Sequence, residues 1–226
     1  MNLPLRTQRG FTLVEMAIVL IIFSLLVGGM MMSLGSQQDL TNAKETEKRM
    51  NEVRDALLGF AVVNRYLPCP ANPVTASGAA GAGTEVRVAG ICTATEGVVP
   101  WATLGVPETD GWGRRLTYSV TAAFAESTVV FSLTTAGNIN ILATAGGASL
   151  ASNMPAVIVS HGKNGFRAYL PNGSQMGATA DTSEQENSNG NTTFVSSTPT
   201  PTFDDQILWI APTILMNRMI SAGRLP

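Results

Sequence analysis

The chain has 226 residues, room for one soluble domain plus an anchor. Charged residues are 13% of it, against roughly 25% in soluble domains, and the net charge is only −2. That balance implies no polyanionic partner. The absence of a basic stripe or an aromatic-interleaved basic patch argues against a nucleic-acid reader.

The chain opens on a basic leader with Arg6 and Arg9, then Gly10-Phe11-Thr12-Leu13-Val14-Glu15. Residues 16–38 carry no charge, and 16–34 are nearly all Ile, Leu, Val, Met and Phe. As a helix, that core rises roughly 28 Å, which predicts a bilayer crossing. Gly28-Gly29 is either a loosened point or ordinary membrane-helix glycine. A lone Glu15 in such a segment is costly and therefore a functional candidate. A secretory signal with Ser33-Leu34-Gly35 at its cleavage site fits poorly, because the apolar run is too long and carries a charge near its start. A plain signal anchor leaves Glu15 unexplained.

The heptapeptide 9–15 and the helix behind it resemble the type III signal of the type IV pilin and pseudopilin superfamily. The resemblance implies that a prepilin peptidase cuts between Gly10 and Phe11 and methylates the new amine. Glu15 then becomes the fifth mature residue. A cationic Phe11 amine on a neighbouring subunit can meet Glu15 and offset most of the cost of burying it, so the pair acts as a register device. The competing reading is a carboxylate lying near the headgroups.

Further along, residues 39–63 contain no proline, and Met50, Val53, Leu57 and Phe60 recur at spacings of three and four. Glu45 with Arg49 and Lys48 with Glu52 are opposite charges one turn apart on a solvated face. The helix from Phe11 to about Val63 would run about 80 Å. Leu67-Pro68-Cys69-Pro70 is expected to end it. Residues 71–97 read as a long Gly/Ala/Thr/Pro loop. Everything beyond the membrane is expected to be extracytoplasmic, where disulfides persist. Compartment and even count predict a Cys69–Cys92 bridge, with two buried thiols as the alternative. Two cysteines and one histidine make no zinc shell.

Strands are expected at 116–120, 128–134, 138–142 and 156–160. Residues 162–165 read as a turn and 181–201 as a flexible polar loop. Pro212 starts a short closing helix through Ile220, stopped near Gly223. The order predicts an α+β protein: a long amino-terminal helix packed on a small antiparallel β-sheet head. The domains are a leader at 1–10, a membrane and filament-core helix at 11–34, its amphipathic continuation at 35–66, and a periplasmic head at 67–226.

Asp110-Gly111-Trp112-Gly113 followed by Tyr118 resembles an element of the major pseudopilin of type II secretion. Ser160-His161-Gly162-Lys163-Asn164-Gly165 and Asp204-Asp205-Gln206-Ile207 with Trp209 resemble two later elements. In that family a calcium ion ties the late loop. No other cofactor is expected. The corresponding ligands are Asn164, Asp204 and Asp205, although the turn aspartate is replaced by Asn164. The alternative role for Asp204 or Asp205 is capping backbone N–H groups. Trp112 and Trp209 are expected to be core aromatics. His161 has no nucleophile motif beside it, and no phosphate cradle precedes a helix, so no enzyme is expected.

The expected function is a prepilin-like structural subunit of a type II secretion pseudopilus or a type IV pilus. Its expected partners are prepilin peptidase, other pilin or pseudopilin subunits, an inner-membrane assembly platform and membrane lipid. The alternative is a membrane-anchored binding or adhesion module that never polymerises.

Overall fold

The structure is a computed structural model that describes residues 10–225, without the side chains of 28–34 and 36. The elements are α1 (Leu13–Asn64), β1 (Arg87–Val88), β2 (Ile91–Cys92), β3 (Glu96–Val98), α2 (Trp101–Leu104), β4 (Thr117–Val120) and α3 (Ala122–Ala125). There follow β5 (Ile139–Leu142), β6 (Ser149–Met154), β7 (Ala156–Ser160), α4 (Thr182–Glu186), β8 (Thr193–Val195), β9 (Gln206–Ile210) and α5 (Pro212–Ser221). Two compact units divide between Thr41 and Asn42.

The first unit is the amino-terminal part of α1. Its backbone is helical through Gly28 and Gly29 without interruption. The large apolar side chains described here stand in solvent, with Phe11 84% and Leu13 87% exposed. Among the described residues, no helix is long and apolar enough to cross a membrane. The predicted crossing over 11–34 is therefore not met by what is described. Its described side chains within the helix cover residues 13–27, a rise of about 22 Å against a bilayer core of about 30 Å. The leader, except for Gly10, lies outside the described residues.

The second unit is built on a four-stranded antiparallel sheet in the order β3-β4-β7-β9. The register pairs Tyr118 with Ile158 and Ile158 with Leu208. Side chains alternate between faces along each strand. One face carries Tyr118, Val120, Ile158 and Ile210 and packs with Met50, Val53, Leu57 and Ala61 of α1 and Leu215 and Met219 of α5. The other face carries Val157, Val159 and Ile207 and packs with Ile139, Ile141 and Phe194. Those last three belong to a second sheet, β6-β5-β8. Covered on both faces, β7 is buried along its whole length.

Four expectations need correction. The helix stops at Asn64, before the prolines, because Arg65 turns left-handed at φ 69° while its N–H still reaches Ala61 O. Residues 71–97 are not all loop. The short run 96–98 adds the edge strand β3 through Val98↔Thr117 and Glu96↔Ser119. No strand forms at 128–134: Val129, Val130 and Leu133 are exposed, and only Phe131 is buried, against the Phe124 ring at 5.0 Å. Nor is 181–201 structureless. Asp181 caps α4 by accepting from Ser183 N–H and Glu184 N–H, and β8 pairs in parallel with β5. The second sheet is accordingly mixed, with β5 antiparallel to β6 and parallel to β8. Of the predicted stripe on α1, Phe60 turns aside to an edge contact with Tyr66 at 5.7 Å.

Arg115 is fully buried. Its guanidinium pairs with Glu108 at 2.8 Å and donates to Pro73 O, Pro171 O and Ser77 Oγ. It also lies 4.6 Å from the Trp101 ring. Removing one partner of such a group strands the other. Arg115→Ala is expected to cost about 3–5 kcal/mol. Urea unfolding of the variant beside the wild type measures that loss.

Candidate processing, assembly and cation sites

Thr12 precedes the first turn of α1. Its hydroxyl accepts from Glu15 N–H at 3.2 Å, while Glu15 Oε2 accepts from Thr12 N–H at 2.8 Å. Thr12 O takes the first helical bond, from Met16 N–H. This is a reciprocal capping box in which two orphan donors are satisfied at once. The T-x-x-E spacing of Thr12 and Glu15 is its signature in the sequence. Gly10, Phe11 and Glu15 are all exposed.

The Asp110 element joins the sheet to α1. Asp110 Oδ1 accepts from Trp112 N–H and Arg114 N–H, and Oδ2 accepts from Ser160 Oγ at 2.7 Å. From α1, Arg49 donates to Thr109 O and Asp110 O, and Thr46 Oγ1 accepts from Gly111 N–H. A Cβ at Gly111 would stand 2.3 Å from Asn42 O, so only glycine lets this loop close on the helix. Trp112 and Trp209 are half-buried rather than central to the core. Tyr118 donates its hydroxyl to Pro68 O.

Cys69 and Cys92 form a disulfide across 23 residues, with Cα atoms 5.3 Å apart. Glu85 lies inside the closed loop and accepts from Cys69 N–H, while pairing with Arg87 at 3.0 Å.

The late loop gathers carboxylates. Glu184, Asp204 and Asp205 each bring an oxygen, all within 4.8 Å of one another. Glu184 Oε2 and Asp204 Oδ1 are buried without a hydrogen-bond partner. Burial raises the pKa of both acids, and the Asp205 charge adds to the rise. Asn164 braces the group: its amide nitrogen donates to Glu184, its oxygen accepts from Phe166 N–H, and its own N–H reaches Asp204 Oδ2 at 3.0 Å. Asp205 accepts from Asn187 Nδ2 at 2.8 Å. Two orphan anionic oxygens in a hard-oxygen shell fit calcium. Glu184 was missed in the sequence because it sits in a polar stretch with no apolar period.

His161 is buried, with Nε2 3.0 Å from Thr117 Oγ1. Nδ1 stands 3.7 Å from Asp205 Oδ1, too far for a hydrogen bond. The row Thr117–His161–Asp205 thus lacks the bond that orients the imidazole in a hydrolytic triad. Nearby, burial raises the pKa of Glu96, partly countered by His161.

A family model described as the prokaryotic N-terminal methylation motif matches residues 5–31. The chain therefore carries the prepilin-type signal of type IV pilins and pseudopilins, which marks it as a prepilin-like substrate of prepilin peptidase. No curated protein and no solved structure matches the chain.

An acid whose folded pKa lies above its unfolded value favours the protonated fold. Its ionisation withdraws stability as pH rises from about 4.5 through the folded pKa. Glu96→Gln removes that loss at one position. Its unfolding free energy should gain on the wild type as pH rises from about 4.5 through the raised folded pKa of Glu96 and stay level above that. Denaturant titrations across this range report the difference, and parallel curves contradict the burial cost assigned to Glu96.

Proposed function

We propose that the chain is a prepilin-like structural subunit, cut between Gly10 and Phe11, methylated on Phe11, and assembled into a type II secretion pseudopilus or a type IV pilus. The observation that carries this reading is the coincidence of the methylation motif at 5–31 with a helical segment whose described apolar side chains are exposed in the isolated chain. Such a surface needs lipid or neighbouring helices to cover it. The proposed location is the bacterial inner membrane, with the head in the periplasm and the filament in the periplasm or at the cell surface. The motif favours a structural subunit over an enzyme. The proposed partners beyond the peptidase are other pilin or pseudopilin subunits, the assembly platform and membrane lipid.

In this reading Glu15 has two roles, one before assembly and one within the filament. In the free chain it caps the helix with Thr12. In the filament its charge meets the Phe11 amine of a neighbour. The two roles separate experimentally, because glutamine serves nearly as well as glutamate in a capping box and carries no charge. Glu15→Gln should keep the helix start yet lower filament incorporation at least tenfold, read by crosslinking and pelleting. Thr12→Ala should cost about 1 kcal/mol of helix stability and leave the charge in place. Normal assembly of Glu15→Gln contradicts the charge role. Intact mass of the protein from its native membrane tests processing: a chain starting at methylated Phe11 supports it, and an uncut chain rejects it.

Calcium held by Glu184, Asp204 and Asp205 belongs to the same proposal. The ion supplies positive charge where two buried acids and the half-buried Asp204 repel one another. These residues lie on α4 and just before β9, so neutralising them ties the 181–205 segment to the sheet. At about 100 times its dissociation constant, calcium should add about 2.7 kcal/mol, or roughly 5–10 °C in the thermal midpoint. Glu184→Gln should abolish most of that rise. Equal midpoints in calcium and in chelator reject the site.

A further inference from the structure

Beside the edge strand β3 lies a concavity of about 120 Å³ whose lining includes Glu96, Thr117, His161, Arg167, Tyr169 and Gln175. Its walls come from strands of the main sheet and from the loop at 166–176. It holds two opposite charges that are not paired with each other. Among the described residues, the Glu96 carboxylate makes no hydrogen bond or ion pair. The Arg167 guanidinium also has none. Glu96 is fixed by its strand, where it pairs with Ser119, and it is half-buried.

Arg167 is exposed and lines both this concavity and a neighbouring one beside Thr179 and Gln185. Its backbone is left-handed at φ 62°, a conformation that costs a residue with a side chain about 1 kcal/mol or more. The turn is held from both sides: Arg167 N–H donates to Gly177 O, and Arg167 O accepts from Gln175 Nε2. Such strain persists only where surrounding contacts impose it. The Gln175 bond uses the amide nitrogen, which leaves Oε1 as an acceptor. Tyr169 Oη has no partner among the described residues.

We propose that this concavity binds a small zwitterion of the amino-acid class, with its ammonium group on Glu96 and its carboxylate on Arg167. An ammonium group has three donors. Glu96, Gln175 Oε1 and Tyr169 Oη supply three acceptors. The guanidinium fork matches a carboxylate in two-point fashion. A ligand with both charges neutralises both walls, whereas a single ion leaves one wall unpaired. The volume falls well below the roughly 300–1,000 Å³ of pockets that enclose drug-sized ligands, which excludes a nucleotide or an oligosaccharide as the enclosed group.

The test is calorimetric titration of the full chain in detergent with glycine, β-alanine and 4-aminobutanoate, alongside methylamine and acetate. At least one zwitterion should bind tenfold or more tighter than either single ion, and the series reports the charge separation that the walls require. Glu96→Gln and Arg167→Gly should each weaken binding at least tenfold. Glycine adopts the left-handed turn without strain, so Arg167→Gly keeps the loop while removing the charge. Thermal midpoints and circular dichroism verify the folds of both variants. The proposal is overturned if no zwitterion binds at millimolar concentration. Equal binding of the single ions, or unchanged binding by the two variants, overturns it too. None of these outcomes bears on leader cleavage or filament assembly.

Discussion

A guanidinium withdrawn from water must find its counter-charge and its acceptors where it lies, and Arg115 finds them on three separate stretches of chain. Pro73 O and Ser77 belong to the segment after the disulfide, Glu108 to the turn before the Asp110 element, and Pro171 O to the loop after β7. None of these stretches has a regular ladder of its own to hold it. The ion pair with Glu108 and the Trp101 ring complete the shell. Loops of low hydrophobicity are thereby fixed to the sheet by one cation. The same fixing shapes the wall of the Glu96 concavity, because Pro73 lines it.

Much of this architecture was legible from residue pattern. The stripe Met50, Val53, Leu57 found the sheet, and the runs at 138–142 and 156–160 became β5 and β7. Pro212 opened α5, and the two cysteines joined. What escaped has physical causes. Strand β3 is only Glu96–Val98 and contains a glycine, so it has neither length nor β-branched density; tertiary pairing with β4 makes it a strand. The run 128–134 has the composition of a strand but finds no partner edge. Phe194 and Val195 looked isolated in a polar stretch, yet both are buried, and Phe194 joins the core between the two sheets. Glu184 reached the carboxylate cluster through α4, an element too short to show a period.

At the amino terminus, one side chain is read in two ways by its surroundings. Glu15 satisfies Thr12 within its own turn, and that bond needs only an acceptor, not a charge. A charge matters once water is excluded and a cation arrives. The carboxylate cluster of the head obeys the same electrostatics without that remedy, since its acids have backbone and amide donors but too few cations. In the head, burial turns an ordinary acid into a group whose stability depends on what comes to it, and in the proposed filament Glu15 would meet the same constraint.

The disulfide bears on how tension travels. It joins Cys69, shortly beyond the end of α1, to Cys92, just before the edge strand β3. A pull transmitted along the helix into the head crosses the sulfur bond directly. The intervening segment at 70–91 then hangs as slack outside the load path, so its contacts with Arg115 and the polar concavity are spared while the sheet takes the strain.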